Sequence, residues 1–561
     1  MNDRKTWSLE TWLFVLAFLL ALGLRCLLLN HLPLNDAEAV QALEALSAAG
    51  SSAVTLTGAP AYTAPASALM AIFGAGDGLA RFWPAVVGAG MALLPLLFRR
   101  WLGRVPAIFL AFFIALDPVL ISASRQANAS VLAAAFLLAA VGFICTRKWS
   151  AAGIFAGLAL AGGEYFWFGA VVLGLAVLIL WGIGSKKNGQ SDEEPAAMTA
   201  FDGLRFSISL AAAFVLYSTR MLTLPQGLSA AFSGLPEFLQ GFGAGSTISR
   251  PWILFALAST APLAVILGFV RGITGLFRRD PVDRRLVIGF LTAMSLLLVY
   301  PGRSALNLVW AVIPLWALSA RLVANFNLGE KKDRMARLIQ ASLTFTMIIF
   351  CWLVNLGNML YPSLDITTVQ YLAVTIVSLL LIVAATILVA YGWTPRAALS
   401  GLCLGLGLVA VFISLSNSWR ATGLGIHPEA EVVSQAPVVD VQRRLLTTLD
   451  EFSRWNKSGA DALDIVLLGI DRPSLKWALR DYPNVLSTAF LAAGNSPDAI
   501  ITLPQEIPAL VDAYRGQKLT WQAGSDWKRM TSMDWLRWFA FRESVLANDE
   551  LIVWVRNDLF K

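Results

Sequence analysis

Histidine is nearly absent from this sequence of 561 residues, which has only His31 and His427. Two imidazoles so far apart in the chain argue against His-based catalysis and against a His-rich metal site. Cysteine is scarce as well. Cys26, Cys145, Cys351 and Cys403 all lie in apolar runs, and neither a disulfide framework nor a zinc spacing can be built from them. Charged residues make up only 14%, where a soluble domain carries about 25%. Three further absences matter. No GxGxxG turn follows the first strand of the tail, so a dinucleotide site is unsupported. No internal repeat is visible. The first apolar run, after MNDRK, has no small-residue cleavage site, which makes it an uncleaved span rather than a signal peptide.

What is present is apolar length. The chain is 57% hydrophobic, with a mean hydropathy of +0.66. Runs of about 20 apolar residues, enough to cross a bilayer, recur from residue 11 to about residue 417. The fold class expected is a polytopic α-helical membrane protein. The net charge of +7 sits mostly in short loops between spans, where it sets topology rather than recruiting nucleic acid. Following those clusters from a cytoplasmic N-terminus gives about thirteen spans and an extracytoplasmic tail. RRWLGR, RKW, RGITGLFRRDPVDRR and RLVANFNLGEKKDRMAR fall inside, while residues 31–80, which contain no Lys or Arg, form the first outer loop. Within that loop the Ala-rich segment 61–76 is too short to span and is expected along the interface.

Composition changes beyond residue 425. A transmembrane part at 1–417 and a soluble part at 428–561 are therefore expected. In the tail, DIVLLGI, AIITL and ELIVWVR read as strands between helical segments, which suggests a small α/β domain with a mainly parallel sheet. Its tryptophans, Trp477, Trp521, Trp527, Trp535, Trp538 and Trp554, fit sugar stacking, but interface and core packing account for such residues more often.

The segment LPLNDAEAVQALEAL, at 32–46, puts three carboxylates beside the membrane with no cation nearby. Taken alone, Asp36 and Glu38 fit a general base, a metal ligand or a solvated loop. The wider pattern narrows this. Arg25 precedes Asp36, Glu38 and Ala39. Phe73 and Gly74 follow, then Arg81, Pro84 and Ala85, then Arg104, then Pro118, Ser124 and Arg125. This ordered set resembles the start of GT-C glycosyltransferases, and most of all family 39, the polyprenyl-phosphate-mannose protein mannosyltransferases and their bacterial relatives.

The resemblance implies transfer of a hexose or pentose from a polyprenyl-phosphate-linked donor to an extracytoplasmic protein, lipid or envelope glycan. The chain would work in the plasma membrane with membrane lipids around it, without nucleic acid and without a defined cofactor. A carboxylate would take the acceptor's proton on the face opposite the leaving group and so invert the anomeric centre. Asp36 is the first candidate for that base and Glu38 the second; either could be the counterpart of the family's catalytic carboxylate, because Ala37 separates two residues that relatives carry side by side. Cations would hold the leaving phosphate. The outer cations expected are Arg125, Arg220, Arg250 and Arg303, of which Arg125 matches the pattern and Arg303 sits where relatives often carry a basic residue. Arg25 either pairs with a carboxylate or contacts phosphate. The pattern's second-loop Asp is missing from SRQANASVL, and Glu164 is the substitute at hand. That departure keeps open a non-catalytic relative acting as a scaffold or glycan-export partner. A transporter fits less well, since paired ionisable residues within spans are lacking.

Overall fold

A computed structural model describes residues 9–50, 56–185, 199–246, 248–326, 331–352, 366–432, 439–456, 463–491, 494–504 and 512–560. The polar loop expected at 185–194 and the outer segment expected at 358–368 fall almost wholly outside them. The chain is a polytopic helical membrane protein with a small sheet domain at its C-terminal end. By length and apolarity, seven described helices are long enough to span, or nine if two sharply bent pairs each count as one. The thirteen spans expected from the sequence are not established by this measure. Several apolar helices are short, such as Ser130–Cys145 and Trp149–Leu160. Others of spanning length, Pro281–Val299 and Lys331–Phe350, begin in charged turns.

The first helix, α1 (Leu9–Cys26), is the apolar run at the N-terminus. The loop that follows contains two helices, α2 (Asp36–Ala49) and α3 (Pro60–Phe73). Asn35 starts α2 with a capping box: its side chain accepts from the Glu38 amide at 2.9 Å, and Glu38 accepts from the Asn35 amide at 3.2 Å. Ala39, Ala42 and Ala45 form the buried face of α2. α3 is the segment expected at the interface. It buries Tyr62 and Met70 and leaves Ile72 and Phe73 exposed. The next helix, α4 (Asp77–Gly90), carries Arg81 inward from the same end of the bundle.

One apparent span is broken. Helices Arg104–Leu116 and Pro118–Ser124 meet at a 55° bend. Proline has no amide hydrogen, and it disfavours helical geometry in the residue before it. Asp117 therefore turns out of the helix and caps the second half, accepting from the Leu120 amide at 2.7 Å. The break strands carbonyls of the first half. Arg25 reaches across and donates to Ile114 O at 2.9 Å and Ala115 O at 3.0 Å. The Ile114 oxygen would have bonded the amide that Pro118 lacks.

The tail sheet has strand order β2-β1-β3-β5-β4, with β1 (Ile465–Leu468), β2 (Val485–Thr488), β3 (Ala499–Thr502), β4 (Tyr514–Ser525) and β5 (Leu546–Arg556). The β1 pairings with β2 and β3 are parallel, and the β3–β5 and β4–β5 pairings are antiparallel. The mainly parallel sheet expected from the sequence is thus a mixed one. β4, YRGQKLTWQAGS, escapes notice in the sequence because its first half is solvent-facing and polar.

The sheet domain docks onto the end of the bundle that carries α2 and α3. Trp527, Trp535 and Trp538 form an aromatic cluster with Trp252 and Phe255, the Trp252–Trp527 centroids lying 4.4 Å apart. Trp477 is buried against the bundle and donates to Asp77 Oδ1 at 2.6 Å. The tail tryptophans with described contacts are thus packing and hydrogen-bonding groups.

Candidate active site

The two carboxylates of the first loop have different surroundings. Glu38 is almost fully buried and is gripped at both oxygens by Arg81, with Nε to Oε1 at 2.7 Å and Nη2 to Oε2 at 2.7 Å. The Ala127 amide adds a third donor at 3.1 Å. Arg81 also donates to the carbonyls of Leu29, Leu32 and Pro33, at 3.2, 2.5 and 3.0 Å. This bidentate pair ties α2, α4, the end of α1 and the second loop together.

Asp36 is half-buried beneath the tail. Its Oδ1 accepts from the Ser474 amide at 3.0 Å and from the Ser474 hydroxyl at 2.5 Å, and its Oδ2 accepts from Gln522 Nε2 at 3.4 Å. Trp521 Nε1 donates to the same Ser474 hydroxyl at 3.0 Å. Asp36 is therefore a joint between the first loop and the sheet domain. Ser474→Ala removes the hydroxyl from both bonds and is expected to loosen this joint by about 1–3 kcal/mol. The expected readout is faster amide exchange in α2 and in residues 474–478. Unchanged exchange there would mean that the joint is not held by this hydroxyl.

Two recesses open on either side of the Glu38–Arg81 pair. One is cationic, lined by Arg81, Arg125, Arg420 and Arg542 with Glu431 among them. The other is acidic, lined by Glu38, Glu164 and Glu237, with Gln41, Asn128 and Tyr165. Gln126 lines both. Because Arg81 faces one and Glu38 the other, the ion pair stands between them.

Glu164 begins the helix Glu164–Ser185, and Glu237 lies on Gln226–Gln240. The two approach because Gly234 has no side chain: a Cβ there would stand 2.5 Å from Gly163 Cα. Glu237 accepts from Ser233 Oγ at 2.7 Å. Glu164 accepts no hydrogen bond among the described residues.

In the cationic cleft, Arg125 Nη1 donates to the carbonyls of Leu24, Arg25 and Leu27 at 3.1, 3.0 and 2.8 Å, and so closes the C-terminal end of α1. Burial, then the charge of Arg81, bring Arg125 down to about 10, so it stays cationic at neutral pH. Burial likewise lowers Arg542 to about 10, and burial raises the Glu431 carboxyl above its ordinary range.

The residues singled out in the sequence thus divide. Glu38, Arg125 and Glu164 line the paired recesses, while Asp36 lies beside them under the tail. Arg25 lines neither recess. It holds the broken helix end and donates to Ser124 Oγ at 3.2 Å, and among the described residues no carboxylate forms an ion pair with it. Arg303 is also elsewhere, tying its corner to Ile248 O at 2.7 Å and Ser246 Oγ at 2.6 Å. The sequence reading left out Arg420, although it follows the last span and qualifies as an outer cation by the same rule that admitted Arg125. Glu431 and Arg542 carry no sequence signal. Among the described residues, no group of three or more His, Cys, Asp or Glu is arranged to hold a metal ion.

No family model matches the sequence, and no curated protein matches it. Solved structures do match in shape. ArnT from Cupriavidus metallidurans in the apo state is 14% identical with a TM-score of 0.53, covering 89% of this chain and 94% of that one. The same protein bound to undecaprenyl phosphate gives 15%, a TM-score of 0.51 and the same coverages. The chain has the GT-C fold. An oligosaccharyltransferase from Archaeoglobus fulgidus is also similar, at 13% identity over 86% of this chain and 64% of that one, but its TM-score of 0.42 carries no argument. Within the GT-C fold the two recesses occupy the end of the bundle where the first loop and the sheet domain meet.

Proposed function

We propose that this chain is a glycosyltransferase that takes a sugar from a polyprenyl-phosphate-linked donor and passes it to an acceptor outside the cytoplasm. The observation that carries the reading is the arginine cleft beside an acidic recess, divided by one ion pair. The likeness to a protein solved with undecaprenyl phosphate supports it. In this reading the leaving phosphate lies against Arg420, Arg542, Arg125 and Arg81, which stabilise its developing charge. The sugar extends toward Glu38, and the acceptor enters the acidic recess. Placement in the plasma membrane, with the N-terminus cytoplasmic and the sheet domain outside, belongs to the same proposal.

Three carboxylates compete for the role of base. Glu38 is committed to Arg81 at both oxygens, and Asp36 is held by the tail. Glu164 faces the recess with oxygens that accept no hydrogen bond among the described residues, so the base role is assigned to Glu164 and the positioning role to Glu38. Asp36, the first choice from sequence, becomes the joint with the tail. The test is release of polyprenyl phosphate by purified protein given a panel of polyprenyl-phosphate sugars and acceptor-containing extract. Release above a no-protein control supports a transferase.

A second reading has its own support. Both first-loop carboxylates are engaged by neighbours, as they would be in a relative that keeps the fold without turnover. Tight donor binding with no release under any acceptor would favour it. The sugar, the acceptor and the lipid length are left to that panel.

A further inference from the structure

The cationic cleft is assembled from distant parts of the chain. Arg420 follows the long helix Pro395–Trp419, Glu431 follows the short turn Pro428–Ala430, and Arg542 ends the tail helix Ser532–Phe541. Arg542 is held with care. Its backbone is left-handed, with φ at 61°, a strained setting for a non-glycine residue. Its guanidinium lies over the Trp538 ring at 3.8 Å, and Nη2 donates to Asn417 Oδ1 at 3.1 Å. Only 5% of the residue is exposed, yet Nε and Nη1 have no hydrogen-bond partner. A buried guanidinium with unmet donors is costly.

Glu431 is the nearest anion, and it does not meet those donors. Its Oε1 stands 4.0 Å from Arg542 Nε, beyond hydrogen-bonding range. Among the described residues it accepts no hydrogen bond at all. Arg420 lines the same cleft and, among the described residues, donates none from its side chain. The set therefore consists of two arginines with free donors and one carboxylate that offsets their charge from a distance.

We infer that Glu431 is a resident counter-anion, which a lipid-linked phosphate in the cleft, the diester of the donor or the monoester left after transfer, displaces from Arg420 and Arg542. This rests on the donor-binding reading above and adds regulation to it. The arginines attract the phosphate, and Glu431 repels it. Affinity for the lipid phosphate is thereby held below what the cations alone would give, and the same residue hastens departure of the polyprenyl phosphate left after transfer. The site thus discriminates between an occupied and an empty cleft by the position of one carboxylate that links the last span to the tail.

The test uses the full chain in vesicles of neutral phosphatidylcholine, with a polyprenyl monophosphate as probe and the uncharged polyprenol as control. Removing one like charge at close range is worth about a tenfold change in affinity, so Glu431→Gln is expected to bind the monophosphate about tenfold tighter. Arg542→Gln and Arg420→Gln are each expected to bind it about tenfold more weakly. In turnover, Glu431→Gln should lower KM and lower kcat together, a split that loss of mere packing would not produce. Glu431→Asp keeps the charge but withdraws it, and its affinity should fall between wild type and the glutamine variant. Should the glutamine variant fail to fold, the aspartate variant decides by the same sign. Unchanged or weaker binding in the Glu431 variants, with both arginine variants weakened, overturns the counter-anion and leaves the phosphate cleft standing. Wild-type protein that binds the monophosphate no better than polyprenol overturns both.

Discussion

Arg81→Met is expected to destabilise the protein by about 3–5 kcal/mol, the cost of leaving a buried charge without its partner. Glu38 has 3% side-chain exposure, and without Arg81 it keeps only the amides of Asn35 and Ala127 as donors. The carbonyls of Leu29, Leu32 and Pro33 lose their donor as well. Thermal unfolding of the purified chain should show a large downward shift for Arg81→Met. A smaller shift is expected for Glu38→Leu, because an unpaired arginine still has the three carbonyls. The double variant should be less damaged than the two single losses added together, since neither charge is then stranded. Strict additivity would mean that the pair is not a unit. Because Arg81 also faces the cationic cleft, the single variant should bind polyprenyl phosphate more weakly at temperatures where it is still folded.

Glu164→Gln is expected to lower turnover by about 10²–10⁴-fold, the range that a positioned general base contributes. Donor affinity should change little, because Glu164 lines the acidic recess and not the arginine cleft. Asp36→Asn keeps an acceptor oxygen for Ser474 and should leave most of the activity in place. Glu38→Gln should act mainly through stability, with a melting shift to match its lost turnover. A large loss confined to Asp36→Asn would return the base role to Asp36 and require the tail to lift from it during the reaction. Equal losses in all three, with normal folding, would indicate that the carboxylates act as one electrostatic set.

Much of this architecture is visible in residue types. The apolar runs and the basic turns between them announce a polytopic helical protein, and the Pro inside 61–76 falls in a helix of 14 residues that is not among those long enough to span. The helix at 36–49 also has a sequence signal, because Asn35 and Glu38 carry the spacing of a capping box. Arg25 could be located but not interpreted. Its partners are carbonyls exposed by a break at Pro118, and a broken helix is invisible to hydropathy when both halves are apolar. β4 was hidden for the opposite reason, since a strand with a polar half lacks the alternation that marks strands.

The site was legible only on its first-loop side. Glu38 and Arg125 follow an ordered motif, and Glu164 stands in the sequence as the carboxylate at hand for the missing second-loop Asp. Arg542 and Glu431 lie among ordinary surface-like sequence in the tail. Nothing local marks a residue whose meaning comes from a contact with Asn417, more than a hundred positions earlier in the chain.

The docking of the tail also has a consequence for biosynthesis. Arg81 and Arg125 are made early in translation, whereas Arg542 joins the cleft, and Ser474 joins Asp36, only after the sheet domain has been made and folded. A ribosome-bound intermediate can thus have its membrane helices in place while its cleft lacks the residue that completes it. The cleft is therefore completed last: a chain stalled or clipped before Ser532–Phe541 would lack Arg542 and, on the binding proposed above, would hold a lipid phosphate more weakly.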